Sequence, residues 1–299
     1  MHPSVERRVW SIEGAGSYGA GLAQAAVAAG EWVVGFDRPE SRPTKDGAKS
    51  DALDAVRAAR ELLGRERWAQ PRARGAREAI RALLGCRDSA QRARTAAINE
   101  LKALVVTSDA RLRERLRGRT VPRLLCAVED FDVAGVEVEI AGTIRAMRSL
   151  TGRIRMLRAE VKELENELRV LVGSSAPQLL AEPGVGVVTA AQVIVSWSHP
   201  GRCRHEAAFA RLAGVAPLPA NSGQVQTRHK LSRGGDRALN RALHTVIITR
   251  CRNHDQTRAY IARRVAEGKT HARPAAVSSA TSPDTSTDSW NTSPPVDKT

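Results

Sequence analysis

Aromatic residues are scarce in this chain of 299 residues: five Trp, three Phe and two Tyr make up 3%. That scarcity argues against the base-stacking platforms on which readers of single-stranded RNA depend. Cysteine is thin as well. Cys86, Cys126, Cys203 and Cys251 stand far apart, with no C-x-x-C pair and no Cys/His cluster, so neither a disulfide framework nor a zinc site is expected. A reducing, cytoplasmic setting fits that usage best. No apolar run approaches the ~20 residues a membrane helix requires. Glu6, Arg7 and Arg8 interrupt any early apolar segment that would act as a secretory signal. No membrane partner is expected.

Basic charge is what the chain has in excess. Against 32 Asp+Glu stand 47 Lys+Arg, a formal net charge of +15. Such an excess favours a polyanionic partner, because counterions released from phosphates drive association. The length suffices for one large domain or two ordinary ones.

Along the chain, residues 5–12 read as a strand ending at Glu13, followed by a Gly-rich turn and an Ala-rich helix from about Tyr18 to Ala29. Trp32–Phe36 reads as a second short strand, and a helix is expected from about Ser50 to Leu63. From Arg77 to Arg117 the pattern is almost wholly helical. A break at Gly118–Val121 with Pro122 precedes a second long helix, roughly Glu137–Val172. Its apolar residues Met147, Leu150, Ile154, Leu157, Val161, Leu164, Leu168 and Leu171 alternate spacings of three and four. That heptad seam serves a core helix of the same chain or an oligomerising coiled coil, and the spacing does not separate the two. A compact helical module follows, from about Ser175 to Glu267. Beyond Thr270 the composition turns to Ser, Thr and Pro, which points to a disordered tail. The expected domains are 1–70, 71–174, 175–269 and the tail 270–299.

The N-terminal motif admits two readings. Gly14-Ala15-Gly16-Ser17-Tyr18-Gly19 matches G-x-G-x-x-G between a strand and a helix, with Asp37 near the end of the next strand. That is the pattern of a dinucleotide-binding oxidoreductase. Against it, Glu13 would repel a pyrophosphate, two strands are too few for a doubly wound sheet, and no substrate domain follows. The other reading groups Glu13 with Asp51 and Asp54, which share a helix face at i and i+3. Such a carboxylate set suits Mg²⁺, which prefers hard oxygen ligands, and metal ions of that kind activate phosphoryl chemistry. D-x-x-D is also common on a solvated helix face, with Asp51 favouring the N-terminus and Asp54 pairing with Arg57 or Arg60.

In the C-terminal module, Glu182-Pro183-Gly184-Val185-Gly186-Val187-Val188-Thr189 has the form of a helix–hairpin–helix turn. Gly184 and Gly186 let backbone approach phosphate, and the helix opening toward Thr189 offers free N–H groups and a favourable dipole. Such a turn grips DNA backbone without reading sequence; a plain Gly-rich helix connection has the same pattern. Ser222 lies between Asn221 and Gly223, with Arg228, His229, Lys230, Arg233, Arg237 and Arg241 after it. Arg237 and Arg241, at i and i+4, present one cationic helix face to phosphate. That face serves chemistry at Ser222 or DNA contact alone.

In order along the chain, V-W-S-I-E-G-A-G-S-Y-G, K-S-D-A-L-D-A, the heptad helix, E-P-G-V-G-V-V-T-A-A, L-A-G-V-A-P and N-S-G resemble the bridge-RNA-type insertion-sequence transposases of the IS116/IS110/IS902 type, relatives of the pilin-gene invertases. The resemblance runs from about Val5 to Thr270. It implies an α/β N-terminal part, here an incomplete RNase H-like (RuvC-like) DEDD domain. A long helical coiled-coil region and an all-α domain containing the helix–hairpin–helix would follow. By similarity Glu13, Asp51 and Asp54 would be the second, third and fourth acids of a tetrad holding Mg²⁺ or Mn²⁺. Ser222 would be the serine that attacks DNA. A structured guide RNA, a homo-oligomer and a nucleoid-associated location are further implications. Only twelve residues precede Glu13, none of them Asp, and the tail replaces the basic helix expected at the end. The resemblance therefore points to a shortened copy with impaired activity. A non-catalytic DNA- or RNA-binding protein is the alternative from another class.

Overall fold

The computed structural model describes residues 8–36, 51–64, 70–219, 229–231 and 234–267. Within these, the side chains of 51–54, 57, 61, 217–219 and 229–231 lie outside the description. The chain divides into two compact units, one including Met1–Arg77 and Ser196–Asp236, the other Glu78–Val195 and Arg237–Ser279.

The first unit opens with a β-α-β element. Strand β1 (Val9–Glu13) and strand β2 (Trp32–Phe36) pair in parallel, Val9 opposite Trp32 and Glu13 opposite Phe36. Parallel neighbours need a crossover, which α1 (Ala20–Ala28) supplies while burying Ala23 and Ala26. Helix α2 (Asp51–Leu63) packs against β1: the Ser11 hydroxyl donates to the Ala58 carbonyl at 3.3 Å. Ile12, Val34, Ala58 and Leu62 are buried there. These elements follow the spans expected from the sequence closely.

The same unit holds α9 (Glu206–Leu212), whose first turn is capped by His205, with Nδ1 accepting from the Ala208 N–H at 3.1 Å. Strand β3 (Pro217–Pro219) then pairs antiparallel with β4 (His229–Leu231). The all-α expectation for the C-terminal module is corrected at this point. Pro217 and Pro219 cannot extend a helix, and the short pairing of Leu218 with Lys230 gives the backbone its hydrogen bonds instead.

The second unit is helical in its described residues. Helix α3 (Ala76–Thr107) begins at the unit boundary, and α4 (Ala110–Leu116), α5 (Val121–Glu129) and α6 (Val138–Ser175) follow. The continuous helical stretch expected up to Arg117 is broken at Ser108–Asp109. There the Asp109 carboxylate accepts from the Arg111 and Leu112 N–H groups at 2.8 and 3.4 Å and restarts the chain as α4. Pro122 in the first turn of α5 sits where its missing N–H costs nothing.

Helices α3 and α6 run antiparallel. Arg87 near the start of α3 pairs with Glu165 late in α6 at 2.7 Å, whereas Ala97, Leu101 and Val105 share a core with Ile144, Met147, Leu150 and Ile154. Leu112, Leu116, Leu124, Leu125 and Val128 complete that core. The first half of the heptad seam is therefore buried within its own chain. Truncating Leu101 or Met147, both fully buried, would cost about 2–5 kcal/mol. The unit closes with α7 (Pro177–Ala181), α8 (Val187–Trp197), which ends just inside the first unit, α10 (Arg237–Asn253) and α11 (Asp255–Ala266). No helix among the described residues is long and apolar enough to cross a membrane.

Candidate nucleic-acid interface

Residues 182–186 form the turn between α7 and α8, and its two glycines differ in their surroundings. Gly184 has φ +80°, a conformation L-residues rarely adopt. A Cβ there would stand 3.0 Å from both the Arg250 Cγ and the Val246 carbonyl. Gly184 thus serves close packing against α10. Gly186 has nothing within 4 Å of the corresponding position. Gly186 is exposed, with open space on the side where a Cβ would stand.

Thr189 closes the turn locally. The Gly186 N–H donates to its hydroxyl oxygen at 2.9 Å, and the hydroxyl donates back to the Gly186 carbonyl at 2.8 Å. Thr189 thereby satisfies one of the donors expected to be free, and positions the opening of α8 beside it. Arg250 pins the turn from α10. Its Nε donates to the Pro183 carbonyl at 2.7 Å and its Nη2 to the Glu182 carboxylate at 2.9 Å.

Helix α10 has two faces. Leu239, Ala242, Leu243, Val246 and Ile247 are buried, and Val246 and Arg250 face Gly184. Arg237 and Arg241 are exposed with His244 and Thr245. At 100° per residue these lie opposite the side that meets the turn. The two cationic side chains expected to act together do share a face; the turn does not join them on it.

Ser222, Arg228 and Arg233 lie outside the described residues. Lys230 is placed only as a backbone position of β4, opposite Leu218. The ends of the segment carrying Ser222 are held by a backbone junction. Gly235 has φ +105°, and a Cβ on it would stand 2.7 Å from the Leu212 carbonyl and 2.8 Å from the Gly214 nitrogen. The Asp236 N–H donates to the Leu212 carbonyl at 2.7 Å, and the Ser196 hydroxyl donates to the Asp236 carboxylate at 2.5 Å. L-A-G-V-A-P and G-G-D are thus locked together where they flank β3 and β4.

At the N-terminal end, Glu13 is exposed at the last position of β1. Asp51 and Asp54 are on the first turn of α2, the helix docked on β1, with their side chains outside the description. Among the described residues no set of three His, Cys, Asp or Glu is grouped for a metal ion. The glycines of the G-x-G-x-x-G motif have local duties. Gly14 takes φ +61°, and its carbonyl accepts from the Ser17 and Gly19 N–H groups at 2.7 and 3.1 Å. A Cβ on Gly19 would meet the Glu13 carbonyl at 2.7 Å. Strand-to-helix closure alone accounts for both. Asp37 lies outside the described residues.

A feature absent from the sequence reading sits in the first unit. Ser198 has φ +73°; its hydroxyl oxygen accepts from the Ala73 N–H at 3.0 Å and lies 3.1 Å from His199 Nδ1. Burial, then Arg202 and Arg77, hold the His199 imidazole below its ordinary pKa. Burial pushes the nearby Cys203 thiol up. Nothing in the local spacing of S-W-S-H-P-G announces this junction, because Ala73 and Arg77 come from far up the chain.

Comparison with known proteins bears on the same stretch of chain. Residues 176–262 match the family model described as the transposase IS116/IS110/IS902 family. A Streptomyces coelicolor protein described as the insertion element IS110 uncharacterized 43.6 kDa protein is 32% identical over 160 residues, 52% of this chain and 39% of that protein. A probable family 20 transposase of Pseudomonas aeruginosa is 27% identical over 243 residues, 79% of this chain and 69% of that protein. The insertion element IS900 uncharacterized 42 kDa protein of Mycobacterium paratuberculosis is 34% identical over 98 residues, 32% of this chain and 24% of that protein. The matches span less than half of the Streptomyces and Mycobacterium proteins.

Proposed function

We propose that this chain, whose residues 176–262 match the transposase IS116/IS110/IS902 family model, acts in DNA strand cleavage and transfer of an insertion sequence. The observation that carries this reading is the coincidence of the family match with the α7–α8 turn and α10. There Gly186 is exposed with open space beside it, and Arg237 and Arg241 are exposed.

In this reading Ser222 is the nucleophile. Its Oγ forms a bond to phosphorus, the sugar oxygen of the broken strand leaves with a proton, and the other strand end stays joined to the protein. Arg237 and Arg241, with Arg228, Lys230 and Arg233, hold phosphate oxygens. Glu13, Asp51 and Asp54 supply hard oxygen donors of the kind that Mg²⁺ or Mn²⁺ takes. Support for that set is the exposed carboxylate at the end of β1 and the docking of α2, which carries both aspartates, on the same strand. Such an ion, when bound, would offset charge on phosphate oxygens. DNA is the principal partner, and a structured guide RNA and further copies of the chain complete the proposed assembly.

The test is a covalent protein–DNA adduct, trapped by denaturation. It is expected from the full chain with Mg²⁺ at low yield, to vanish in Ser222→Ala, and to persist in Ser232→Ala. Salt-dependent DNA binding with no adduct under any condition would assign the chain to nucleic-acid binding without chemistry.

A further inference from the structure

The corner formed by α4 and α5 carries a run of arginines that the reading above does not use. Arg111, Arg113, Arg115, Arg117, Arg119 and Arg123 are all exposed. Among the described residues none of them pairs with a carboxylate. Three are turned to structural use while keeping their charge. Arg113 donates to the Val106 and Ser108 carbonyls at 3.2 and 3.3 Å, at the end of α3. Arg115 lies over the Phe131 ring at 4.4 Å, and Arg119 donates to the Arg115 carbonyl at 2.6 Å. These contacts fix the corner.

Arg119 and Arg123 line an open concavity of about 310 Å³ together with Pro122, Cys126, Ala127 and Asp130. The acids nearby are few. Asp109 is committed to the α4 N-terminus, Glu129 pairs with Arg155, and Glu114 and Asp130 remain.

We propose that this corner is a second DNA-backbone surface, reaching phosphates about one duplex turn from those gripped at the α7–α8 turn. It rests on the reading of the chain as a DNA-binding transposase. Guanidinium groups fixed on a short corner suit phosphate oxygens. The spacing favours duplex DNA. Arg155, which pairs with the end of α5, precedes the end of α6 at Ser175, and that stretch rises about 30 Å at ~1.5 Å per residue. The hairpin turn follows α7 directly, and one turn of duplex is roughly 34 Å.

The experiment compares the full chain with Arg111→Gln/Arg117→Gln/Arg123→Gln and, separately, with Gly186→Glu. Binding to a long duplex of roughly 40 base pairs and a short one of roughly 12, about one turn, is followed against salt. Each phosphate contact contributes about 0.9 to the slope of log affinity on log salt. The triple variant is expected to lose about 2–3 from that slope on the long duplex and nothing on the short one. Its thermal midpoint should match the parent, since among the described residues those three side chains have no partner to lose. An unchanged slope on the long duplex, or a loss confined to an RNA duplex, overturns the proposal. If Gly186→Glu weakens binding and the triple variant does not, only the corner is excluded. If the triple variant weakens binding and Gly186→Glu does not, the corner stands and the hairpin reading falls. A parent chain that binds no duplex removes both.

Discussion

Arg250 on α10 and Glu182 at the start of the α7–α8 turn form an ion pair at 2.9 Å, with the Arg250 side chain only 10% exposed. The same guanidinium donates to the Pro183 carbonyl, so one side chain fixes both the charge and the backbone of the turn. A hydrogen bond to a charged group contributes roughly 1.5–3 kcal/mol. Arg250→Ala is expected to destabilise the protein by about that amount, and Arg250→Lys by less, because a lysine keeps the charge without the fork. Chemical denaturation midpoints check both.

The two glycines of the turn should respond differently to alanine. At Gly184 a methyl group meets φ +80° and two contacts at 3.0 Å, a cost of about 1–2 kcal/mol for the left-handed backbone alone. At Gly186 it meets open space. Thermal melts should show Gly184→Ala clearly lowered and Gly186→Ala close to the parent.

Much of this was legible in the sequence, and the reason is local periodicity. The alternation around Ile12, the glycines bounding α1 and the apolar spacing from Met147 to Leu171 each fix an element from a few neighbouring residues. The heptad seam was legible as a seam but not as to its partner, which only the packing of Ile144–Ile154 on α3, α4 and α5 supplies. Arg250 was illegible for a different reason. It stands 68 residues from Glu182, and no period links an arginine in the last turn of one helix to a turn separated from it by four elements. The packing role of Gly184 was illegible for the same cause, since its neighbours come from α10. Asp236 and Gly235, which anchor the β3–β4 segment, likewise work through Ser196 and Leu212.

The depressed pKa of His199 gives stability a pH dependence of known sign. The unfolded imidazole binds a proton at its ordinary value near 6.5, the folded one only below that. Between the two values the unfolded state holds more protons, so stability rises with pH there. The favourable contribution is fully present above about pH 6.5 and is lost as pH falls toward the folded value. Urea midpoints from about pH 8 to about pH 5 should fall less steeply in His199→Gln than in the parent.

Thiol chemistry separates the cysteines. Cys86 and Cys126 are exposed, whereas Cys203 is buried and its pKa is pushed up. A disulfide reagent is expected to label Cys86 and Cys126 in the native protein, and Cys203 only after unfolding. Peptide mapping of the labelled sites checks the order.

The affinity of the full chain for duplex DNA of arbitrary sequence, titrated against salt, bears most directly on the proposed role. The parent is expected to bind with a steep inverse salt dependence. Arg237→Gln/Arg241→Gln should lower the slope by about 2, and Gly186→Glu should weaken binding without lowering the melting temperature. Affinity that is absent, or indifferent to salt and to all three substitutions, would contradict a DNA-backbone grip by the α7–α8 turn and α10.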